Sequence, residues 1–160
     1  MITGSVAMSV YSVPRLTRDI DLVVDIKADD VDTIVEMFEN DCYINPDVVR
    51  KETRRRGMFN IIHKEWITKA DFIVKKDQPY RKAEFERRKS IDIKGFSVYV
   101  VTPEDLILSK LCWGKLSSSE LQQQDVRRLL SEKQDLDRVY LKRWARKLGV
   151  AGELEALGLE

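Results

Sequence analysis

Histidine is almost missing from this chain, with His63 the single imidazole among 160 residues. A metal centre built on several histidines is thereby excluded, and so is a histidine-based nucleophilic triad unless His63 serves it. Cysteine is nearly as scarce. Cys42 and Cys112 stand far apart without metal-ligand spacing, so they read as reduced, partly buried thiols of a cytoplasmic protein. No apolar run approaches the ~20 residues that a membrane span needs. The first residues do not show the basic-then-apolar layout of a secretory leader. Internal repeats are absent, and the biased tracts are only Ser117-Ser118-Ser119 and Gln122-Gln123-Gln124. What remains is an ordinary soluble composition, long enough for one domain with a real core.

The net charge of +1 conceals an uneven layout. Residues 1–49 hold 3 basic and 10 acidic side chains, a balance of −7, whereas residues 50–89 hold 14 and 6, a balance of +8. The rest is level at 11 of each. An acidic half beside a basic middle suits an enzyme of polyanions, or a solvated surface. The run Arg50–Arg56 and the segment Lys75–Lys89 are the places where RNA phosphates would find that charge.

The most informative stretch runs from Gly4 to Val24. Gly4-Ser5 lies between a scrap of strand, Met1-Ile2-Thr3, and a helix-compatible run, which leaves backbone N–H groups and a hydroxyl at a helix N-terminus, a place for phosphate. Downstream, Asp19-Ile20-Asp21-Leu22-Val23-Val24 alternates as a strand does, with both aspartates on one face and Ile20, Leu22 and Val24 on the other. Two like charges so placed repel, and a divalent metal relieves them; Mg²⁺ favours carboxylates combined with substrate phosphates. Phosphate cradle and paired carboxylates together read as a nucleotide-handling site.

The ordered combination of Gly4-Ser5, a spacer, and Asp19-Ile20-Asp21 resembles the nucleotidyltransferase superfamily. Arg15-Leu16-Thr17-Arg18-Asp19-Ile20-Asp21-Leu22 and Thr102-Pro103-Glu104-Asp105-Leu106-Ile107-Leu108-Ser109-Lys110-Leu111 resemble, more narrowly, the AbiEii-type proteins, which include bacterial abortive-infection toxins. The resemblance implies an α+β fold, a mixed sheet flanked by helices, with a core over residues 1–102 and a helical region over 103–160 packed on it as one unit. It implies transfer of a nucleoside monophosphate from an NTP to an acceptor hydroxyl, with Mg²⁺ or Mn²⁺ and pyrophosphate as leaving group. RNA or tRNA, a protein hydroxyl or a small molecule are all open as acceptor, and a cognate antitoxin is an implied partner. Relatives begin with a helix and a full strand before Thr-Gly-Ser, so the stub Met1-Ile2-Thr3 is expected to start downstream of the natural beginning or to be tolerated.

In that frame Asp19 and Asp21 hold metal, Gly4 and Ser5 take the β- and γ-phosphates, and Arg18 and Arg15 neutralise phosphate. A third carboxylate is expected on a neighbouring strand. Asp71 fits best, flanked by Ala70, Phe72 and Ile73, with Asp92 in reserve; the bland alternative for Asp71 is a partly buried acid paired with an arginine. Lys110 matches the family's lysine and is a phosphate contact or a plain surface lysine. Asp125 reads as structural, and Trp113, Tyr140 and Trp144 as core of the helical tail. Two other classes stay open: a catalytically silent binder of nucleotide or RNA on the same fold, and a transferase modifying a cationic antibiotic, against which the basic middle argues.

Local signals give the remaining elements. Val31, Ile34, Val35 and Phe38 space an amphipathic helix ending near Asn40, and Pro46-Asp47 opens a basic helix stopped at Gly57. Met58–His63 and Lys69–Val74 read as strands, and residues 78–89 as a helix. A hairpin turns on Lys94-Gly95. Helices follow from Pro103, over 119–132, over 136–148 ended by Gly149, and near 152–157.

Overall fold

A computed structural model describes residues 1–14, 16–17, 19–117 and 119–158. The described residues form seven strands: β1 (Ile2–Thr3), β2 (Asp19–Val24), β3 (Cys42–Tyr43), β4 (Met58–His63), β5 (Lys69–Val74), β6 (Lys89–Ile93) and β7 (Phe96–Val100). They make one mixed sheet in the order β3-β4-β5-β2-β1-β7-β6. Eight α-helices flank it: α1 (Gly4–Tyr11), α2 (Val31–Phe38), α3 (Pro46–Arg55), α4 (Pro79–Glu86), α5 (Pro103–Ser117), α6 (Glu120–Glu132), α7 (Arg138–Leu148) and α8 (Ala151–Ala156). The expected mixed sheet with a helical C-terminal stretch is what forms.

Strands β2 and β5 run parallel and in register from Asp19 opposite Lys69 to Val24 opposite Val74. Alternation then sorts their side chains. Leu22, Val24, Ala70, Phe72 and Val74, with Phe59 and Ile61 of β4, turn to α2 and α3 and pack with Val31, Val35, Phe38 and Val49. Phe59 and Phe72 are cross-strand partners whose rings stack 5.2 Å apart. The opposite face of the same strands carries Asp19, Asp21, Lys69, Asp71 and Asn60. Such side chains resist an apolar cover, so this part of the sheet stays outside the apolar core.

A second core joins the rest. Ala7 and Met8 of α1 and Val100 of β7 pack with Leu106, Leu129 and Leu141 of the C-terminal helices. A buried polar network ties that region down. Asp105, wholly buried, accepts from Thr102 Oγ1 at 2.7 Å, Tyr140 OH at 2.7 Å and Arg87 Nε at 3.1 Å. Burial, then the bond to Asp105, pushes the Tyr140 phenol far up. Glu104 takes Arg87 Nη2 and the backbone N–H of Asp137, the residue whose carboxylate caps α7.

Several details differ from the sequence reading. The helix expected over 78–89 closes at Glu86, because Lys89 already pairs with Val100 as the first residue of β6. Helix α3 ends on Arg56 in the left-handed region (φ 52), one residue before Gly57. Gly57 is required for another reason: a Cβ there would lie 2.0 Å from Glu52 Oε2, which accepts from Met58 N and Arg55 Nε. The two-residue edge strand β3 has no alternation long enough to be read. The hairpin turn is as expected, with Lys94 and Gly95 both at positive φ.

Candidate active site

The site's floor is three strands wide. Thr3 of β1 lies opposite Asp21 of β2, which lies opposite Asp71 of β5, so three polar side chains stand in one row. One step along, Asp19 faces Lys69. Helix α1 rises directly from β1, and its first residue, Gly4 at φ +61, presses on the row: a Cβ there would sit 2.0 Å from Asp21 Oδ2. Only glycine serves, because the backbone is left-handed and the space is taken by a carboxylate. Thr3, the N-cap of α1, gives no side-chain cap hydrogen bond, and the first turn holds no acid. The helix N-terminus therefore turns its positive end toward the carboxylates with no acid of its own to offset it.

Above this floor is a cavity of about 330 Å³. Gly4, Ser5, Asp21 and Asp71 line it on the sheet side, Lys75, Lys76, Arg81 and Glu84 beside them, and Ser109, Lys110, Trp113 and Gln122 opposite. Burial pushes the Asp21 carboxyl up; Asp71 and then Asp19 push it further, and Lys110 and Lys69 pull it back. Lys110 is thus felt at the acidic floor. It is no surface lysine: only 4% exposed, it donates to Asp125 Oδ2 at 2.7 Å and Gln122 Oε1 at 3.1 Å. Beside it Ser109 Oγ donates to Glu84 Oε1 at 2.7 Å and accepts from Arg81 Nη1 at 2.8 Å, while Arg81 also holds Glu84 Oε2. Burial raises the Glu84 carboxyl, offset by Arg81 and Ser109.

The structure brings Gly4, Ser5, Asp21, Asp71 and Lys110 to one cavity; Asp19 does not line it but shares the strand face of Asp21. Arg15 and Arg18 lie outside the described residues. Asp92 is excluded as a third carboxylate, because it sits on β6 at the far end of the sheet and its Oδ1 accepts from Gly95 N in the hairpin. Trp113 departs from the core reading: it is 55% exposed and stands at the cavity, whereas Tyr140 and Trp144 are buried as expected. Sequence reasoning did not find Lys69, Arg81, Glu84, Ser109 and Gln122. The Lys69-Ala70-Asp71 alternation carried a signal, since it puts a cation on the face of the acid; the others meet only through tertiary packing.

Asp71 is 8% exposed, and its partner is Lys69, not an arginine: Nζ lies 2.9 Å from Asp71 Oδ2 and 3.8 Å from Asp19 Oδ2. The bond to Asp71 is the chief reason the Lys69 ammonium is pushed up. The other oxygen, Asp71 Oδ1, is buried with no hydrogen-bond partner. Among the described residues no three His, Cys, Asp or Glu side chains are gathered, as they stand, into a cage for a metal ion. The donor chemistry nevertheless fits a hard divalent cation: all oxygen, three carboxylates on two paired strands, one oxygen unsatisfied and one acid repelled by its neighbours.

This arrangement, a mixed sheet presenting paired aspartates beside a Gly-Ser helix start, is the nucleotidyltransferase-like fold, and comparison with solved structures agrees. The chain superposes on the lincomycin-bound crystal structure of the lincosamide antibiotic adenylyltransferase LnuA with a TM-score of 0.53 and 14% identity, over 82% of this chain and 85% of that one. It superposes on an antigenic nucleotidyltransferase-like protein from Paracoccidioides brasiliensis with a TM-score of 0.51 and 15% identity, over 98% and 82%. No protein-family model matches the sequence, and no curated protein matches it. At such identities the likeness establishes the fold.

Proposed function

We propose that the chain is a metal-dependent nucleotidyltransferase, moving a nucleoside monophosphate from an NTP to an acceptor hydroxyl. The observation that carries this reading is the pairing of Asp21 with Asp71 on the floor of a cavity that also receives Gly4, Ser5 and Lys110. Asp19, Asp21 and Asp71 would hold Mg²⁺ or Mn²⁺. A divalent ion there supplies charge neutralisation for the triphosphate and polarises the oxygens that react. The N–H groups of α1 at Gly4 and Ser5 bind the terminal phosphates, with the helix end favouring their charge. Lys110, held rigidly by Asp125 and Gln122, adds a fixed positive charge in a partly dry site, where it acts more strongly than in water. Asp71 accepts the acceptor's hydroxyl proton. The acceptor oxygen then bonds to the α-phosphorus, the bond from that phosphorus to the bridging oxygen breaks, and pyrophosphate leaves with the electron pair.

The acceptor is RNA, tRNA included, in this reading. Its support is the basic segment at the cavity: Lys75 and Lys76 line it, Arg56 donates to the Lys75 carbonyl, and Arg54 and Arg55 lie exposed on the same turn. The AbiEii-type motifs make it a cytoplasmic bacterial protein, the toxin of a toxin–antitoxin or phage-defence pair, with a cognate antitoxin. Its two cysteines are unbridged, and among the described residues no helix is long and apolar enough to cross a membrane. A second reading, a catalytically silent nucleotide binder, is favoured by one observation: Lys69 already pairs with Asp71 and stands beside Asp19. Incubation with labelled NTPs and total RNA separates the two. Metal-dependent transfer of label supports the enzyme; metal-dependent NTP binding by calorimetry without transfer to RNA, protein or small acceptors supports the silent binder.

A further inference from the structure

We infer that Lys69 is a tethered counter-cation of the carboxylate cluster, which occupies the place of a divalent ion in the nucleotide-free protein and has to leave before metal binds. This rests on the metal-site reading of Asp19, Asp21 and Asp71 and adds its control. The parallel register sets Lys69 directly across from Asp19, and strand alternation puts it on the same face as Asp71, two residues on. Its ammonium bonds Asp71 Oδ2 at 2.9 Å and stands 3.8 Å from Asp19 Oδ2, so one cation serves two of the three acids. Asp21, opposite Asp71, adds a third negative charge to the row. A divalent ion bridging these strands would take the region the ammonium now holds.

The displacement is feasible because the Lys69 side chain is 35% exposed on a flexible stem and can move its charge into water. Asp71 cannot follow, being buried on a central strand. A bare cation therefore competes with a covalently tethered one, held at high effective concentration. A cation arriving with a triphosphate brings further ligands and a polyanion for the released ammonium. Lys69 thus weakens the binding of a free divalent ion and makes tight metal binding contingent on nucleotide.

The test is binding, read without turnover. Mn²⁺ is titrated by calorimetry into the full chain, wild type, Lys69→Met and Lys69→Arg, alone and with a non-hydrolysable NTP analogue, and folding is checked by circular dichroism. Lys69→Met should bind Mn²⁺ alone at least about tenfold more tightly than wild type, while Lys69→Arg, which keeps a tethered cation, stays near wild type. Adding Asp71→Asn to Lys69→Met should abolish the gain. Equal or weaker Mn²⁺ binding by Lys69→Met, with metal and analogue still binding wild type, overturns the counter-cation role and leaves the metal site standing. No Mn²⁺ binding by any of them, even with analogue, overturns the metal site and this inference together.

Discussion

Replacing Asp21 by asparagine should make the protein more stable and unable to bind metal-dependent nucleotide, two effects of opposite sign from one lost charge. Asn preserves the shape of the side chain against Gly4, where the tolerance for any added atom is nil. It removes a charge directly opposite Asp71, near Asp19, and partly withdrawn from water. Same-face like charges across a strand pair cost about 0.2–1 kcal/mol. The attraction of the carboxylate to the α1 N-terminus works the other way. The raised Asp21 carboxyl says that burial and repulsion win. For a chain of 160 residues that gain is a rise in melting temperature of about 0.4–4 °C.

The pH dependence gives a sharper check. A carboxyl whose folded pKa is raised destabilises the fold when ionised, and that penalty vanishes on protonation. The advantage of Asp21→Asn should be full at pH 7–8, shrink as pH falls through the raised folded value, and be gone below the ordinary 3.8. Mg²⁺-dependent NTP affinity should fall by at least ~10–100-fold, the loss seen when even the groups supporting a metal ligand are disturbed. Melting curves across pH and calorimetry with and without Mg²⁺ measure both. A lower melting temperature at neutral pH, or undiminished metal-dependent binding, would refute the reasoning.

Three further outcomes are expected. Lys110→Met removes the ammonium paired with the buried Asp125 carboxylate and should cost up to about 3–5 kcal/mol in denaturant titrations; Lys110→Met with Asp125→Leu should recover part of that stability but not NTP affinity. Asp105→Ala removes the common acceptor of Thr102, Tyr140 and Arg87, and should cost a similar ~3–5 kcal/mol, with the helical C-terminal region loosening first in hydrogen exchange. Neutralising Arg54, Arg55 and Arg56 to glutamine should weaken RNA affinity and flatten its dependence on salt, and an unchanged slope would mean that this charge is only a solvated surface.

What could be read in advance divides along a physical line. Local chemistry writes itself into short stretches: Pro46-Asp47 starts a helix, Lys94-Gly95 turns a hairpin, and Gly149 in the left-handed region ends α7. Alternation in Asp19–Val24 and Lys69–Val74 tells which residues share a face. It does not tell which strands are neighbours or in what register, and that pairing is what sets Asp21 against Asp71 and Lys69 against Asp19. Lys110 shows the same limit. A lysine in mid-helix looks solvated until Asp125, from the next helix, supplies the charge that permits its burial. Asp92 and Asp71 have near-identical local frames, acids between apolar neighbours, yet one closes a hairpin at the sheet's edge and the other lies at its centre. A strand's own residues fix the direction of a side chain, and its partners fix what that side chain meets. A candidate site assembled across β1, β2, β5 and α5 is therefore visible in sequence as separate residues, and becomes a constellation only through strand order.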